Sequence, residues 1–320
     1  MLTLKKVMLT AIVATFISAN SFASELYDKF QQVSVTVNSG MGEGSGTIVT
    51  REVNLGNNKK AKISFVWTAA HVIDNLRSVR TVVTNGKPTS VVEFKDARII
   101  QELVENGRRV GEIKMDAKVI KYSDSEEGED LALLMIRKTG FTEVSADFYN
   151  DSGNPVEIGT ELYHVGSLLG QVGSNSMTRG IVSQVGRVLS LGSGDGVVFD
   201  QTTVTAFPGS SGGGIFLSER SGEKQGQYVG MLVRGAGETF NLIVPVRRLR
   251  TYAKKNGVAW AVDKDVEVPT MENILSLPIE GEIKPKESED KKSISADSKK
   301  FPVLPELNKA TNAKSVEETK

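Results

Sequence analysis

A glycine-rich segment around residue 210 carries the side chains best suited to chemistry. Residues 205–216 read Thr-Ala-Phe-Pro-Gly-Ser-Ser-Gly-Gly-Gly-Ile-Phe, which places Ser210 and Ser211 between a proline and a run of glycines. Glycine adopts backbone angles that other residues resist, so a G-x-S-G-G loop can turn several N–H groups toward one point. We therefore predict a tight loop that presents a serine nucleophile beside an oxyanion hole. Because Gly/Ser-rich loops also occur as linkers, this prediction depends on partners elsewhere in the chain.

A serine hydroxyl is a poor nucleophile unless a base takes its proton during attack, and histidine suits that task because its pKa lies near neutrality. The chain has two histidines. His71 follows Thr-Ala-Ala at the end of a predicted strand, where small neighbours leave room for the imidazole to meet another side chain. His164 lies inside a predicted strand, residues 161–166, and is interpreted as a packed strand residue.

A carboxylate on the second ring nitrogen would fix the tautomer of the base. Asp130 stands directly before an apolar run, residues 131–136, which would bury its carboxylate against the core. An aspartate before a strand is also a common turn residue, so other acids stay in competition. The competing carboxylates between His71 and Asp130 are Asp74, Asp96, Asp116 and Asp124.

Short segments of alternating or β-branched residues, separated by turns that contain glycine, dominate the chain. Examples are residues 33–37, 61–68 and 228–233. This pattern predicts an all-β barrel or sandwich. The sequence predicts a short helix or lead-in at residues 25–32, a helical turn at residues 97–104, and a closing helix rich in arginine and lysine at residues 246–255.

The composition excludes several classes of function. The formal net charge is zero, which gives no indication of nucleic-acid binding. With no cysteine, the chain can form no disulfide, cannot be a cysteine protease and has no thiolate metal site. Two histidines argue against a His-rich metal site. We predict no metal and no cofactor.

Both ends of the chain differ in composition from its middle. Residues 1–23 have two lysines, an 11-residue apolar core (residues 7–17) and small residues up to Ala23, which together predict a signal peptide for export to the periplasm or the outside. That core is shorter than the ~20 residues that span a bilayer, so we predict no membrane span after cleavage. A buried helix or a retained anchor is the alternative. Residues 263–320 are rich in Lys, Glu, Ser and Pro, which predicts a mostly disordered tail. Docking of its short apolar segments, residues 274–279 and 301–307, on a partner or on the barrel is the alternative.

Three motifs in chain order carry a family resemblance. Residues 68–71 resemble the T-A-A-H motif of trypsin-like serine peptidases, residues 130–133 their D-[IL]-A-[LV] motif, and residues 209–213 their G-[DN]-S-G-G motif. Within that family the chain looks most like the Deg/HtrA protease domain. The residues that carry this likeness are Gly-Glu-Gly-Ser-Gly at 42–46, Thr-Arg-Gly-Ile-Val-Ser at 178–183, and Pro208.

The resemblance covers roughly residues 33–250. It implies a protease domain over residues 24–262, built from two six-stranded β-barrels of the chymotrypsin fold with the site in the cleft between them. His71, Asp130 and Ser211 would form the catalytic triad. The N–H groups of Gly209 and Ser211 would form the oxyanion hole.

The resemblance also suggests where substrate binds. Thr205 would line the base of the specificity pocket. The strand at Val233, Arg234 and Gly235 would pair with the substrate backbone. Because no acid stands at position 205, a small or aliphatic residue is expected before the scissile bond.

Two departures from the family pattern are informative. The uncharged Ser210 replaces the acid that receives the new N-terminus in trypsin-type zymogens, so no activation by N-terminal cleavage is expected. The 58 residues after position 262 are too few for a PDZ domain.

The resemblance also implies partners. Deg-type domains are often trimers, which implies a homo-oligomer. The targets of Deg proteases imply unfolded polypeptides as substrates.

The function predicted from these residues is that of an exported serine endopeptidase. Two alternatives stay open from sequence. The barrel could be a non-catalytic peptide-binding module, or it could be an esterase that uses the same triad.

Overall fold

The computed structural model describes residues 25–281, except 85, 106–107, 127, 151–153, 190–195 and 236–238. The predicted signal peptide and the predicted tail from residue 282 onward lie outside the described residues. Most of the described chain forms β-strands.

Six strands of the N-terminal half close into a barrel in the order β1-β2-β3-β8-β7-β6, and β4 and β5 form a separate hairpin. Neighbouring strands of the barrel are antiparallel. The strands are β1 (Ser34–Asn38), β2 (Glu43–Gly56), β3 (Lys59–Thr68), β4 (Arg77–Thr84), β5 (Lys87–Phe94), β6 (Ala97–Glu105), β7 (Arg108–Ser123) and β8 (Leu131–Ile136).

Six strands of the C-terminal half close into a second barrel, in the order β10-β11-β14-β13-β12-β9. Its neighbouring strands are antiparallel as well. The strands are β9 (Glu161–Leu168), β10 (Gly173–Leu189), β11 (Val197–Thr202), β12 (Gly214–Leu217), β13 (Tyr228–Gly235) and β14 (Asn241–Pro245).

The predicted fold class is confirmed: two six-stranded barrels form a chymotrypsin fold. The apolar run of β8 is buried at all six positions, because this strand lies between β3 and β7 in the first barrel. A helix, α1, spans residues 25–32, and α2 (Val246–Lys255) follows β14. Helix α2 buries Val246, Leu249, Tyr252 and Ala253, the spacing of one apolar helix face.

One predicted helical segment is wrong. Residues 97–104 belong to β6, which pairs with β1 on one side and with β7 on the other. Ala97 and Ile99 point into the barrel core, and pairing on both edges satisfies the backbone without a helix.

Residues 263–281, which we call the C-terminal strap, lie against the first barrel, although their composition predicts a disordered tail. They contain a short helix, α3 (Met271–Leu275), whose Ile274 is buried. The guanidinium of Arg51 donates hydrogen bonds to the carbonyls of residues 263, 264 and 266. The buried Lys121 ammonium donates to those of residues 278 and 281. The strap includes the apolar residues 274–279, for which docking on the barrel was the alternative to disorder, and backbone carbonyls supply much of its attachment.

In the part of the chain that the structure describes, none of the helices has the length and apolar character that a membrane crossing requires.

Candidate active site

The turn after β3 positions His71. Thr68 ends the strand, and the fully buried Ala69 and Ala70 lead into a single 3₁₀ turn, Ala70–Val72. Larger side chains at positions 69 and 70 would overfill this packed site. The imidazole of His71 is one-third exposed, and the backbone N–H of the same residue donates to Asp130 Oδ1 over 3.1 Å.

The carboxylate of Asp130 is buried against the imidazole of His71. Nδ1 of His71 lies 3.0 Å from each of the two carboxylate oxygens, and the Asp130 side chain is 2% exposed. Because a carboxylate only accepts hydrogen bonds, the contact requires the proton on Nδ1 and leaves Nε2 as the basic nitrogen. Asp130 has φ +54°, a left-handed conformation that aspartate adopts more readily than most residues.

The four competing carboxylates are placed elsewhere. Asp74 accepts a 2.6 Å hydrogen bond from the Tyr122 hydroxyl. Arg137 binds Asp96, and Arg98 binds Asp116. The Asp124 carboxylate accepts the backbone N–H of Glu126 over 2.9 Å. Among the described residues, Asp130 is the aspartate whose carboxylate reaches the His71 ring.

The second barrel holds the segment that leads to Asp130, a feature that sequence reasoning missed. Arg248 of α2 donates Nη2 to the carbonyl of Glu129 over 2.7 Å and also binds its carboxylate. The Arg248 guanidinium lies 4.8 Å from the Phe199 ring centre, within cation–π range. Arg234 donates Nη2 to the Ser125 carbonyl over 3.0 Å. The arginine-rich composition of the predicted closing helix was the available signal.

The serine loop before β12 distinguishes its two serines. Ser210 is 1% exposed; its N–H donates to the Phe207 carbonyl, and its hydroxyl accepts from the Phe207 N–H. Ser211 is partly exposed. Gly209 and Gly212 have φ +94° and +87°, and a Cβ on either would lie 2.1–2.2 Å from a backbone oxygen. Only glycine fits these two positions, which makes the bend at Ser211.

The N–H groups of Gly209 and Ser211 have no acceptor among the described residues, whereas the N–H of Ser210 between them does. Two unpaired donors beside a partly exposed serine are what an oxyanion hole requires. The loop also lies next to the turn of His71. A Cβ on Gly44 would lie 2.5 Å from Val72 and 3.0 Å from the Ser211 carbonyl. Within the described residues, no hydrogen bond joins the Ser211 hydroxyl to His71.

Ser45 of β2, which lies in the Gly-Glu-Gly-Ser-Gly motif but was not predicted as a site residue, ties the serine loop to both barrels. Its N–H donates to the Ser211 carbonyl and its hydroxyl to the Gly209 carbonyl, each over 2.7 Å. The same hydroxyl accepts from the Ser167 N–H of β9, also at 2.7 Å. Ser45 is completely buried, so these bonds are protected from water. The Gly-Ser-Gly sequence inside a strand was the only local signal.

Three of the residues predicted to bind substrate belong to β13, which contacts the C-terminal part of the serine loop. Leu232 exchanges backbone hydrogen bonds with Gly212 and Gly213. Beyond that point, Arg234 and Gly235 pair with β14 along one edge, while β12 pairing has already ended at Met231. Among the described residues, no strand pairs with the edge that faces the serine loop beyond Leu232, so this edge is available there for an added strand. Val233 is buried, and Thr205 is partly exposed with its carbonyl bound by the Thr178 hydroxyl.

His164 is completely buried behind the serine loop, with Nδ1 3.2 Å from the Gly214 carbonyl. Burial lowers the pKa of His164 to about 4, so the ring is neutral at pH 7. Among the described residues, no three His, Asp or Glu side chains are grouped closely enough to hold a metal ion.

Two closed barrels with the candidate site between them define the chymotrypsin-fold class of serine-type endopeptidases. The family model of the trypsin-like peptidase domain matches residues 44–231, more than half of the 320-residue chain. The chain therefore belongs to the trypsin-like peptidase domain family. The match spans all three motif residues.

One curated relative is an HtrA protease, the group of proteases that the motifs resemble. The Do-like HtrA serine protease of Lactobacillus helveticus is 32% identical over 150 residues, which cover 47% of this chain and 31% of that protein. The match thus spans about a third of the relative's length.

Solved structures are similar at lower identity. Deg5 is 18% identical with a TM-score of 0.49 and covers 77% of this chain and 98% of its own. The serine endoprotease from Yersinia pestis is 18% identical with a TM-score of 0.48, covering 74% and 66%. The fold assignment rests on strand order and on the family match, not on these similarities.

Proposed function

We propose that the chain is an exported serine endopeptidase that hydrolyses peptide bonds through an acyl-enzyme on Ser211. The contact of the buried Asp130 carboxylate with His71 Nδ1 carries this proposal, because it leaves Nε2 of a partly exposed imidazole unprotonated beside the serine loop. The family match supports the reaction class.

In the first half of the reaction, His71 Nε2 takes the hydroxyl proton as Ser211 Oγ attacks the scissile carbonyl carbon. Asp130 holds the ring and stabilises the imidazolium through Nδ1. The imidazolium then protonates the amine, the C–N bond breaks, and the acyl group stays on Oγ. In the second half, water gives a proton to Nε2 as it attacks the ester carbon, and the imidazolium returns that proton to Ser211 Oγ as the acyl C–O bond breaks, which releases the acid and restores the serine hydroxyl.

The negative charge that develops on the carbonyl oxygen would be stabilised by the Gly209 and Ser211 N–H groups. Each such donor contributes about 3 kcal/mol to transition-state stabilisation in a preorganised site. The Pro208 carbonyl, which shares a peptide group with the Gly209 N–H, accepts from the Leu169 N–H over 2.7 Å, and the Ser210 carbonyl, which shares one with the Ser211 N–H, accepts from the Gly213 N–H over 3.0 Å. These bonds would hold both donors, so they need no rearrangement when charge appears.

Substrate would add as an extra strand along Val233, Arg234 and Gly235, whose edge toward the serine loop is available. The residue before the scissile bond would enter a pocket based at Thr205. Since that base has no carboxylate, we propose a small or aliphatic residue there rather than Lys or Arg. Unfolded polypeptides fit this mode because they offer extended segments.

Export to the periplasm or beyond rests on the signal-like composition of residues 1–23, and the homo-oligomer rests on the resemblance to Deg-type domains. Neither nucleic acid nor a cofactor is part of the proposal.

The proposal is tested by labelling with a fluorophosphonate together with hydrolysis of casein. We expect the wild type to be labelled on Ser211 and to cleave casein, while Ser211→Ala loses both activities and Ser210→Ala keeps its label. An unlabelled wild type with no casein cleavage would support the peptide-binding module instead. Labelling with hydrolysis of short-chain esters but not casein would support the esterase.

A further inference from the structure

Three large apolar side chains lie exposed beside the serine loop, on the side away from Val233. Met41 is 87% exposed, Leu169 61% and Val172 92%. We call these three residues the apolar rim. Single exposed apolar residues are common on protein surfaces, so the placement of the rim has to be argued from its contacts.

The rim residues stand on two loops that are tied to each other and to the serine loop. Leu169 and Val172 flank the turn between β9 and β10, and the Leu169 N–H donates to the Pro208 carbonyl over 2.7 Å. Met41 lies in the turn between β1 and β2. The carboxylate of Glu43, at the end of that turn, accepts the Gln171 N–H over 2.7 Å. The rim therefore borders the peptide that bears the Gly209 N–H.

Charge is excluded from this region. Residues 39–42, 168–173 and 205–214 contain no Asp, Glu, Lys or Arg, although 24% of the chain is charged. The carboxylate of Glu43, which borders this region, has both oxygens engaged, one by Gln171 and one by Asn38. The surface around the rim is thus apolar and uncharged, which suits apolar side chains.

The backbone conformation and the exposure of Leu169 indicate that the stability of the fold does not explain an apolar side chain in the rim. It has φ +60°, a region that favours Gly or Asn, and its side chain is mostly exposed. A leucine at this position therefore neither favours the left-handed conformation of the turn nor packs in the core. A bound apolar group would give it the burial that the free protein lacks.

The direction in which a bound substrate chain would run identifies which of its residues would contact the apolar rim. The acyl side would pair with Val233–Gly235, a strand that meets the serine loop at Gly212 and Gly213. The rim meets the same loop at Pro208 and Gly209, across Ser211. A strand advances about 3.3 Å per residue, so the first residues beyond the scissile bond pass over the rim.

We propose that Met41, Leu169 and Val172 form a subsite for apolar side chains in the first two residues on the C-terminal side of the scissile bond. This inference rests on the proposed function. The subsite acts on the leaving side, so it contributes to acylation and not to hydrolysis of the acyl-enzyme.

The test compares three substrates that share one acyl part. Two are internally quenched peptides with Leu-Leu or Ser-Ser after the scissile bond, whose cleavage position is verified by mass spectrometry. The third is the aryl ester of the same acyl part, which has no residue on the leaving side. The variants are Met41→Ser and Val172→Ser, with Ile158→Ser as a matched control, since Ile158 is 60% exposed and lines a separate surface pocket with Tyr149, Leu217 and Ser218.

We expect each rim variant to lower kcat/KM about fivefold for the Leu-Leu peptide and to leave the Ser-Ser peptide and the ester unchanged, because partial burial of one apolar side chain is lost. Ile158→Ser should leave all three unchanged. Leu169→Asn, which suits the left-handed turn, should behave like the rim variants and guards against a loop that misfolds.

Equal losses for both peptides, or no loss for either, would overturn the subsite while ester hydrolysis and labelling of Ser211 keep the proposed function intact. A wild type that neither hydrolyses the ester nor is labelled at Ser211 would overturn both.

Discussion

At the scale of the residue, the pairing of His71 with Asp130 depends on a geometry that can be tested by replacing the carboxylate with an amide. Both carboxylate oxygens lie 3.0 Å from Nδ1, and one also accepts the His71 N–H. An amide of the same shape would keep the left-handed turn but would bring an N–H group toward the ring. Such a donor favours the tautomer in which Nε2 carries the proton and cannot serve as a base.

Asp130→Asn should therefore lower kcat by a factor on the order of 10³–10⁴ with little change in KM. Asp74→Asn is the matched control, because Asp74 binds the Tyr122 hydroxyl instead of the imidazole, and its kcat should change by less than about threefold. Steady-state hydrolysis of one quenched peptide measures both. A larger loss in Asp74→Asn than in Asp130→Asn would reverse the assignment of the acid.

At the scale of the element, the C-terminal strap completes the first barrel. Ile274 is buried, the Tyr122 N–H donates to the Ile279 carbonyl, and Arg77 binds the carboxylate of Glu280 over 3.0 Å. The buried Lys121 ammonium donates hydrogen bonds to two backbone carbonyls of the strap. Removal of the strap would therefore expose this ammonium and the apolar surface around it. Burial in the present structure lowers the pKa of Lys121 to about 8.

A chain that ends at residue 262 should unfold at lower urea than one that ends at residue 281, with a loss of at least about 2 kcal/mol from the burial of Ile274 alone. The chain that ends at residue 281 keeps every described contact of the strap and serves as the control. Equal urea midpoints for the two chains would show that the strap contributes nothing to stability.

At the scale of the whole molecule, the buried His164 couples the stability of the second barrel to pH. Nε2 of His164 has no hydrogen-bond partner among the described residues, so a proton there would be buried and uncompensated. The folded protein resists protonation down to a pKa of about 4, whereas the unfolded chain takes up the proton near pH 6.5. Between these values the unfolded state binds more protons, and stability falls as pH falls.

His164→Gln should flatten this dependence. In the wild type, the free energy of unfolding should decline by about 2 kcal/mol from pH 7 to pH 5 because of this residue. Urea titrations at pH 7, 6 and 5 keep most carboxylates out of the comparison. Parallel pH profiles for the wild type and the variant would show that His164 is solvated in the folded protein.

Strand period and turn chemistry are local properties, so the sequence predicted an all-β chain from them, whereas the two barrels followed from the family resemblance that three short motifs carry. Gly209 and Gly212 illustrate the local part, since glycine permits the positive φ angles that the serine loop requires. The exception was residues 97–104, where pairing with two strands overrode a weak helical pattern. The sequence also placed His71, Asp130 and Ser211 in one candidate site through short motifs.

Only the tertiary structure decided which of five aspartates reaches His71, because that contact joins residues 59 positions apart. The same holds for Ser45, whose hydroxyl meets the Gly209 carbonyl across 164 positions, and for the strap. Such contacts depend on barrel closure and on backbone carbonyls, which every residue has. The identities of neighbouring residues therefore do not reveal them.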